Sequence, residues 1–216
     1  MVVSLVIVGA GGHGKVVAEA AALGGRWDQI AFVDDARPKG ERVAGFEIIG
    51  ATGDLENLRS DFADAAIGIG DNGTRLSRAH RIAEAGFHLP AIIHPTASIS
   101  PSAVVGAGTV IFAQAAVNAE ARLGTAVIVN TGAVVEHDCI IGDGAHLSPG
   151  VHMGGHVVIG ERAWIGTGTA IVPRAEIGSG TIVGAGAAVT GNLPENAVAV
   201  GVPAKVLEAA ETAIDG

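Results

Sequence analysis

From residue 93 onward the chain keeps one period without a break. Ile93, Ile99, Val105, Ile111, Val117, Leu123, Val129, Val135, Ile141, Leu147, Met153, Ile159, Ile165, Ile171, Ile177, Val183 and Val189 place a large aliphatic at every sixth residue. Two positions before most of them stands a small or β-branched residue, as at Ala97, Thr109, Ala133, Cys139, Ala163 and Thr181. Glycine often follows the aliphatic, as at Gly142, Gly160, Gly166 and Gly178. Six is not a multiple of the helical period, and so many glycines would break a helix. The pattern predicts a parallel β-helix in which each hexad is a short strand plus a corner and three hexads complete a coil. With strands about 4.8 Å apart between coils, roughly five coils make a prism on the order of 25 Å tall.

The first ninety residues follow a different rhythm. Ser4 to Val8 reads as a strand, Gly9 to Gly14 as a tight turn, Lys15 to Leu23 as a helix and Ile30 to Val33 as a second strand ending at Asp34 and Asp35. Ala65 to Ile69 reads as a further strand, and Thr74 to Ala85 as a helix after Gly70-Asp71-Asn72-Gly73. The alternation predicts a small parallel Rossmann-like sheet with flanking helices. The expected division is 1–90 for this α/β domain, 91–194 for the β-helix and 195–216 for a C-terminal extension, a short strand or loop and then a helix towards Ala213.

Composition narrows the function classes. The 216 residues include 33 Gly but only five Phe, two Trp and no Tyr, so the core is built from Val, Ile, Leu and Ala. A formal charge of −9 argues against nucleic acid or an anionic membrane surface as partner, since both need a basic footprint. One cysteine, Cys139, leaves no intramolecular disulfide and no thiolate metal site, which suits a reducing cytoplasm. The opening segment lacks a basic n-region and reads as a buried strand, and no apolar run reaches membrane-helix length.

Two stretches carry candidate chemistry. Gly9-Ala10-Gly11-Gly12-His13-Gly14 matches G-x-G-x-x-G between a strand and a helix, with Asp34 further on. A dinucleotide oxidoreductase would need a larger domain than the residues before the β-helix supply, so a half-size nucleotide site stands beside the reading of a plain tight turn. In the site reading, backbone N–H groups at the helix start hold a diphosphate, His13 donates to a phosphate or sugar oxygen, and Asp34 and Asp35 bind a base or ribose. The second stretch runs from Asn130-Thr131 through Glu136-His137-Asp138-Cys139 to His146. An imidazole beside a carboxylate is suited to act as a general base near neutral pH.

Together these motifs, with Phe32-Val33-Asp34-Asp35, Ile69-Gly70-Asp71-Asn72, His94-Pro95 and the closing Gly201-Val202-Pro203-Ala204-Lys205, resemble the bacterial nucleotide-sugar acetyltransferases. That family includes UDP-4-amino-sugar and GDP-perosamine N-acetyltransferases and sialic acid O-acetyltransferases. The resemblance implies a left-handed β-helix, a homotrimer with active sites between subunits, acetyl-CoA as co-substrate and no metal. It implies His137 as general base with Asp138 orienting it, and the backbone N–H of Gly155 as oxyanion donor. Gly12, His13, Gly14, Asp34, Asp35, Asn72 and Asn130 would meet the nucleotide-sugar acceptor, and His146, Gly155, Thr167, Ala185 and Lys205 the acetyl-CoA. Thr167 and Ala185, 18 apart, should lie one coil above each other. Cys139 falls at an inward position and is not a nucleophile. UDP or GDP, amine or hydroxyl, stay open. Two other readings compete. A γ-carbonic-anhydrase-like metal site on His146, His152 and His156 lacks that family's spacing, and an inert scaffold has no use for the His-Asp pair.

Overall fold

The computed structural model describes residues 2–207. Strand β1 (Ser4–Val8) is flanked in a parallel sheet by β2 (Gln29–Val33) and β5 (Asp64–Ile67). Helix α1 (Gly12–Gly24) follows β1, and α2 (Asn72–Glu84) follows β5. Both helices begin earlier than the pattern suggested. Gly14 lies inside α1 and has to be glycine, because the chain doubles back so tightly that a Cβ there would stand 2.1 Å from the carbonyl oxygen of Gly9. A hairpin that the sequence pattern does not mark, β3 (Arg42–Val43) and β4 (Phe46–Gly50), completes the order β3-β4-β2-β1-β5. Its turn puts both Ala44 and Gly45 at positive φ, where alanine is a poor advertisement for a hairpin.

Beyond residue 91 the hexad register holds. Seventeen two-residue strands, β6 (Ile92–Ile93) to β22 (Ala188–Val189), follow one another at six-residue intervals. Each up to β19 (Ala170–Ile171) pairs in parallel with the strand 18 residues on, as Ala116 with Val134 and Ile128 with His146. The strands fall into three sheets, the faces of a prism. The first face starts at β6, the second at β7 (Ser98–Ile99) and the third at β8 (Val104–Val105). The inward column from Ile111 to Val189 is buried, with Ala133, Cys139 and Ala163 filling the corners at 0% exposure. Ile93 departs from the inward pattern and is 38% exposed, because no coil lies below it. Two further strands, β23 (Val198–Val200) and β24 (Lys205–Val206), extend the first face past residue 194. The helix expected towards Ala213 lies outside the described residues.

One device recurs at the corners. The third residue after each inward aliphatic from Val105 to Val183 is left-handed: Gly108, Gln114, Glu120, Ala126, Gly132, Asp138, Gly144, Gly150, His156, Arg162, Gly168, Arg174, Gly180 and Gly186 all have φ between 54° and 69°. The α/β domain sits on the first face. Val17, Ala20 and Ala21 of α1 share a core with Ile92, Val110, Phe112 and Ile128 of the prism. The join is locked by Arg75 of α2, 1% exposed, whose guanidinium donates to the carbonyls of Ala126 (2.8 Å), Gly144 (2.6 Å) and Gly70 (2.7 Å) and to Asn72 Oδ1 (2.9 Å). Burial lowers its pKa to about 10, so it remains a cation whose partners are chiefly carbonyl dipoles.

Candidate active site

Two groups of the expected site residues carry candidate chemistry. His137, Asp138 and Gly155 occupy the corner between the second and third faces, on consecutive coils. His137 Nδ1 lies 2.7 Å from Asp138 Oδ2, and this hydrogen bond is the main reason the Asp138 carboxyl is held below its usual range. An ionised carboxylate accepts only, so the proton sits on Nδ1 and Nε2 keeps its lone pair. The ring lies directly over Gly155, where a Cβ would stand 2.5 Å from both Cε1 and Nε2. Among the described residues, no acceptor takes the N–H of Gly155. A basic nitrogen and a free backbone donor therefore stand side by side, half-open to solvent. His156, one coil above Asp138, has its Nε2 3.6 Å from the same carboxylate oxygen and its ring edge-on to His137 with centroids 5.4 Å apart.

The second group lies at the first face. No side chain caps α1 at Gly11, so the N–H groups of its first turn are left for water or an anion. His13 points from this turn against Phe112, and its Nε2 is buried with no hydrogen-bond partner among the described residues. Burial, then the Arg75 charge and His146, lowers the His13 pKa to about 3. His146 lies 3.2 Å from the Asn130 amide through Nε2 and stacks on Trp164, and burial followed by Arg75 brings its pKa to about 4. Both imidazoles are neutral near pH 7. Beside His146 a cavity of about 610 Å³ opens between the start of α2 and the first face, lined by Asn72, His146, Trp164 and Asn196 among others.

Several expected ligand contacts are already engaged within the chain. Asp34 accepts from the backbone N–H of Ala10 (2.7 Å) and Ala36 (2.8 Å), bracing the glycine turn. Asp35 accepts from Thr52 N (2.8 Å) and Oγ1 (2.7 Å), which holds its pKa down. Asn72 donates to the carbonyls of Arg162 and Ala163 and accepts from Arg75, so its amide acts as a strut between the two parts of the chain. Thr167 and Ala185 stack one coil apart on the corner between the first and second faces, joined by the Gly186 N–H to Thr167 carbonyl bond (2.8 Å). Lys205 is exposed on β24 at the end of the first face. Sequence reasoning missed Arg75 and Trp164. Arg75 could have been found as a charge on the Leu76, Ala79 and Ile82 face of α2; Trp164 falls on an outward position that periodicity does not mark. His146, His152 and His156 lie on the first face, the second face and a corner, so they do not form one metal site.

The group at the second corner cannot meet the group at the first face within one chain. In a triangular prism that corner lies opposite the first face, and the inward aliphatic column fills the space between them.

The sequence matches the PglD N-terminal domain family over residues 4–82 and the bacterial transferase hexapeptide (six repeats) family over residues 156–191. The acetyltransferase domain of PglB from Neisseria gonorrhoeae superposes with a TM-score of 0.91 at 45% identity, covering 94% of this chain and 99% of that one. PerB from Caulobacter crescentus, solved with CoA and GDP-perosamine, gives 0.90 at 40% identity over 95% and 97%. Curated relatives match over a shorter stretch. The putative lipopolysaccharide biosynthesis O-acetyl transferase WbbJ of Escherichia coli is 48% identical over 52 residues, 24% of this chain and 26% of that protein. The chain thus spans about a quarter of the length of such relatives. With an α/β domain of the PglD type set on a left-handed hexapeptide β-helix and identity sustained end to end, the chain belongs to the bacterial nucleotide-sugar acetyltransferase family.

Proposed function

We propose that this protein transfers an acetyl group from acetyl-CoA to the amine of a nucleotide-linked 4-amino sugar, as a homotrimer in the cytoplasm. The observation that carries the reading is the His137 imidazole, oriented by Asp138 through Nδ1 with Nε2 over Gly155. The neutral amine attacks the thioester carbonyl carbon as Nε2 takes its proton, the Gly155 N–H stabilises the oxyanion, and the carbon–sulfur bond breaks to release CoA, which takes up the proton. No acyl-enzyme forms, and Cys139 is buried away from the reaction.

Residues 1–90 serve as the acceptor domain and 91–194 as the acyltransferase domain. The uncapped start of α1 at Gly12 and Gly14 suits a diphosphate, and the orphaned His13 nitrogen suits a donor or acceptor on the sugar nucleotide. Asn130 and His146 would border that site, while Thr167, Ala185 and Lys205 would follow the CoA chain. Because His137 lies opposite its own α/β domain, the acceptor held by one subunit is acetylated at a neighbour's corner, which is what makes the trimer part of the reading.

The test is CoA thiol release against UDP- and GDP-linked 4-amino sugars and sialic acid, with His137→Ala alongside. Turnover of one amino sugar, lost in the variant, is the expected result and names the nucleotide. Turnover of sialic acid alone would replace N- by O-acetylation, and no turnover of any acceptor would overturn the acceptor class. Mixed trimers of His137→Ala with a variant disabled at His13 should regain activity that neither parent shows; no recovery would refute sharing between subunits.

A further inference from the structure

His137, Asp138 and His156 bring two imidazoles and a carboxylate together with donor atoms within 4.8 Å of one another, all exposed. The fold itself creates this meeting. Positions 138 and 156 are the left-handed residues of successive coils, at φ 60° and 59°, and the His156 N–H donates to the His137 carbonyl at 3.0 Å. Among the described residues the His156 ring makes no hydrogen bond, and Asp138 Oδ2 stands 3.6 Å from its Nε2. Around the cluster, Glu120 one coil below and Glu136 on the same corner outnumber Arg174 one coil above.

We propose that these three side chains bind a zinc-class divalent cation that switches the transferase off. Two nitrogens and one oxygen suit a tetrahedral Zn²⁺ with its fourth position open to water, whereas Mg²⁺ and Ca²⁺ prefer oxygen ligands. Ligand atoms around such an ion stand about 3.3 Å apart for bonds of about 2.0–2.1 Å, a small adjustment from 2.7 and 3.6 Å for half-exposed side chains. The chemistry of inhibition follows from the tautomer. Zinc occupies the Nδ1 lone pair of His137, displacing the proton that is hydrogen-bonded to Asp138 in the metal-free protein, and that proton moves through solvent to Nε2. A neutral imidazole keeps one proton, which then resides on Nε2, and Nε2 can no longer accept one from the acceptor amine. The inhibition rests on His137 being the base; the binding does not.

Zinc chloride added to the purified, chelator-stripped protein would be measured by equilibrium dialysis and atomic absorption, and acetyl transfer followed in parallel. One zinc per chain is expected for the wild type and for His152→Ala, whose histidine lies outside the cluster. His156→Ala should bind at least about 10–100-fold more weakly, the range already seen when a mere supporting partner is lost, and zinc should half-inhibit it at a correspondingly higher concentration. Asp138→Asn provides a second weakened binder. Equal affinity in wild type and His156→Ala, or no bound zinc in the wild type, would overturn the site. Binding as expected without inhibition would overturn the switch, and because dialysis needs no acceptor, a failed acceptor panel leaves the binding result readable.

Discussion

Acidification from pH 7 to pH 5 should weaken this fold in a way that two named residues account for. His13 and His146 have pKa values lowered to about 3 and about 4 by burial, with the Arg75 charge adding to both. In the unfolded chain each titrates near 6.5. Between those limits the unfolded state binds more protons than the folded one, so stability is complete above about 6.5 and falls as the pH drops through that value. At pH 5 the difference amounts to about 2 kcal/mol for each imidazole and about 4 kcal/mol for the pair, a large part of a typical 5–15 kcal/mol. The depressed carboxylates of Asp35, Asp71 and Asp138 act at lower pH, so this window isolates the histidines. Urea midpoints at one fixed protein concentration, at pH 7 and pH 5, would be compared between the wild type and a His13→Asn, His146→Asn double variant. The variant should lose much less stability on acidification. Equal losses in the two proteins would refute the claim that these buried rings remain neutral in the fold.

Three substitutions probe other links. His137→Asn should lower kcat about 10²–10⁴-fold with little change in acetyl-CoA affinity, read by steady-state kinetics. Gly155→Ala should push the His137 ring aside and cost about 10²–10³ in kcat while leaving the thermal midpoint near wild type, because the contact lies at an open corner. Arg75→Met leaves the carbonyls of Ala126 and Gly144 without their donor and should cost about 3 kcal/mol or more in urea unfolding, at about 1–3 kcal/mol for each buried group.

The β-helix was legible because its determinants are local and repeated. Ile111 through Val189 face inward for the same reason each time, and strand pairing at 18-residue spacing follows from that. In the α/β domain, β1, β2 and the two helices could be read from apolar runs and glycine punctuation. The β3–β4 hairpin could not, because Ala44 holds a turn position that glycine or asparagine would have announced. At the site, His137 and Asp138 were legible as neighbours in sequence, whereas His156 reaches them through a coil closure that only the 18-residue register reveals. Asp34, Asp35 and Asn72 are legible as candidate ligand contacts, but their local motif says nothing of the Ala10, Thr52 and Arg162 groups that fold back to meet them.

The left-handed corner positions divide labour along the chain. Each costs a side-chain-bearing residue about 1 kcal/mol relative to glycine, and that residue projects away from the packed interior. A residue can therefore be exchanged there without disturbing the aliphatic stack, so the corners form a rack on which chemistry is mounted and remounted while the prism stays the same. Glycine at such a corner is the relaxed choice. Glu120, Asp138, His156 and Arg174, stacked on successive coils of one edge, mark the stretch where this chain has given up relaxation for reactive groups.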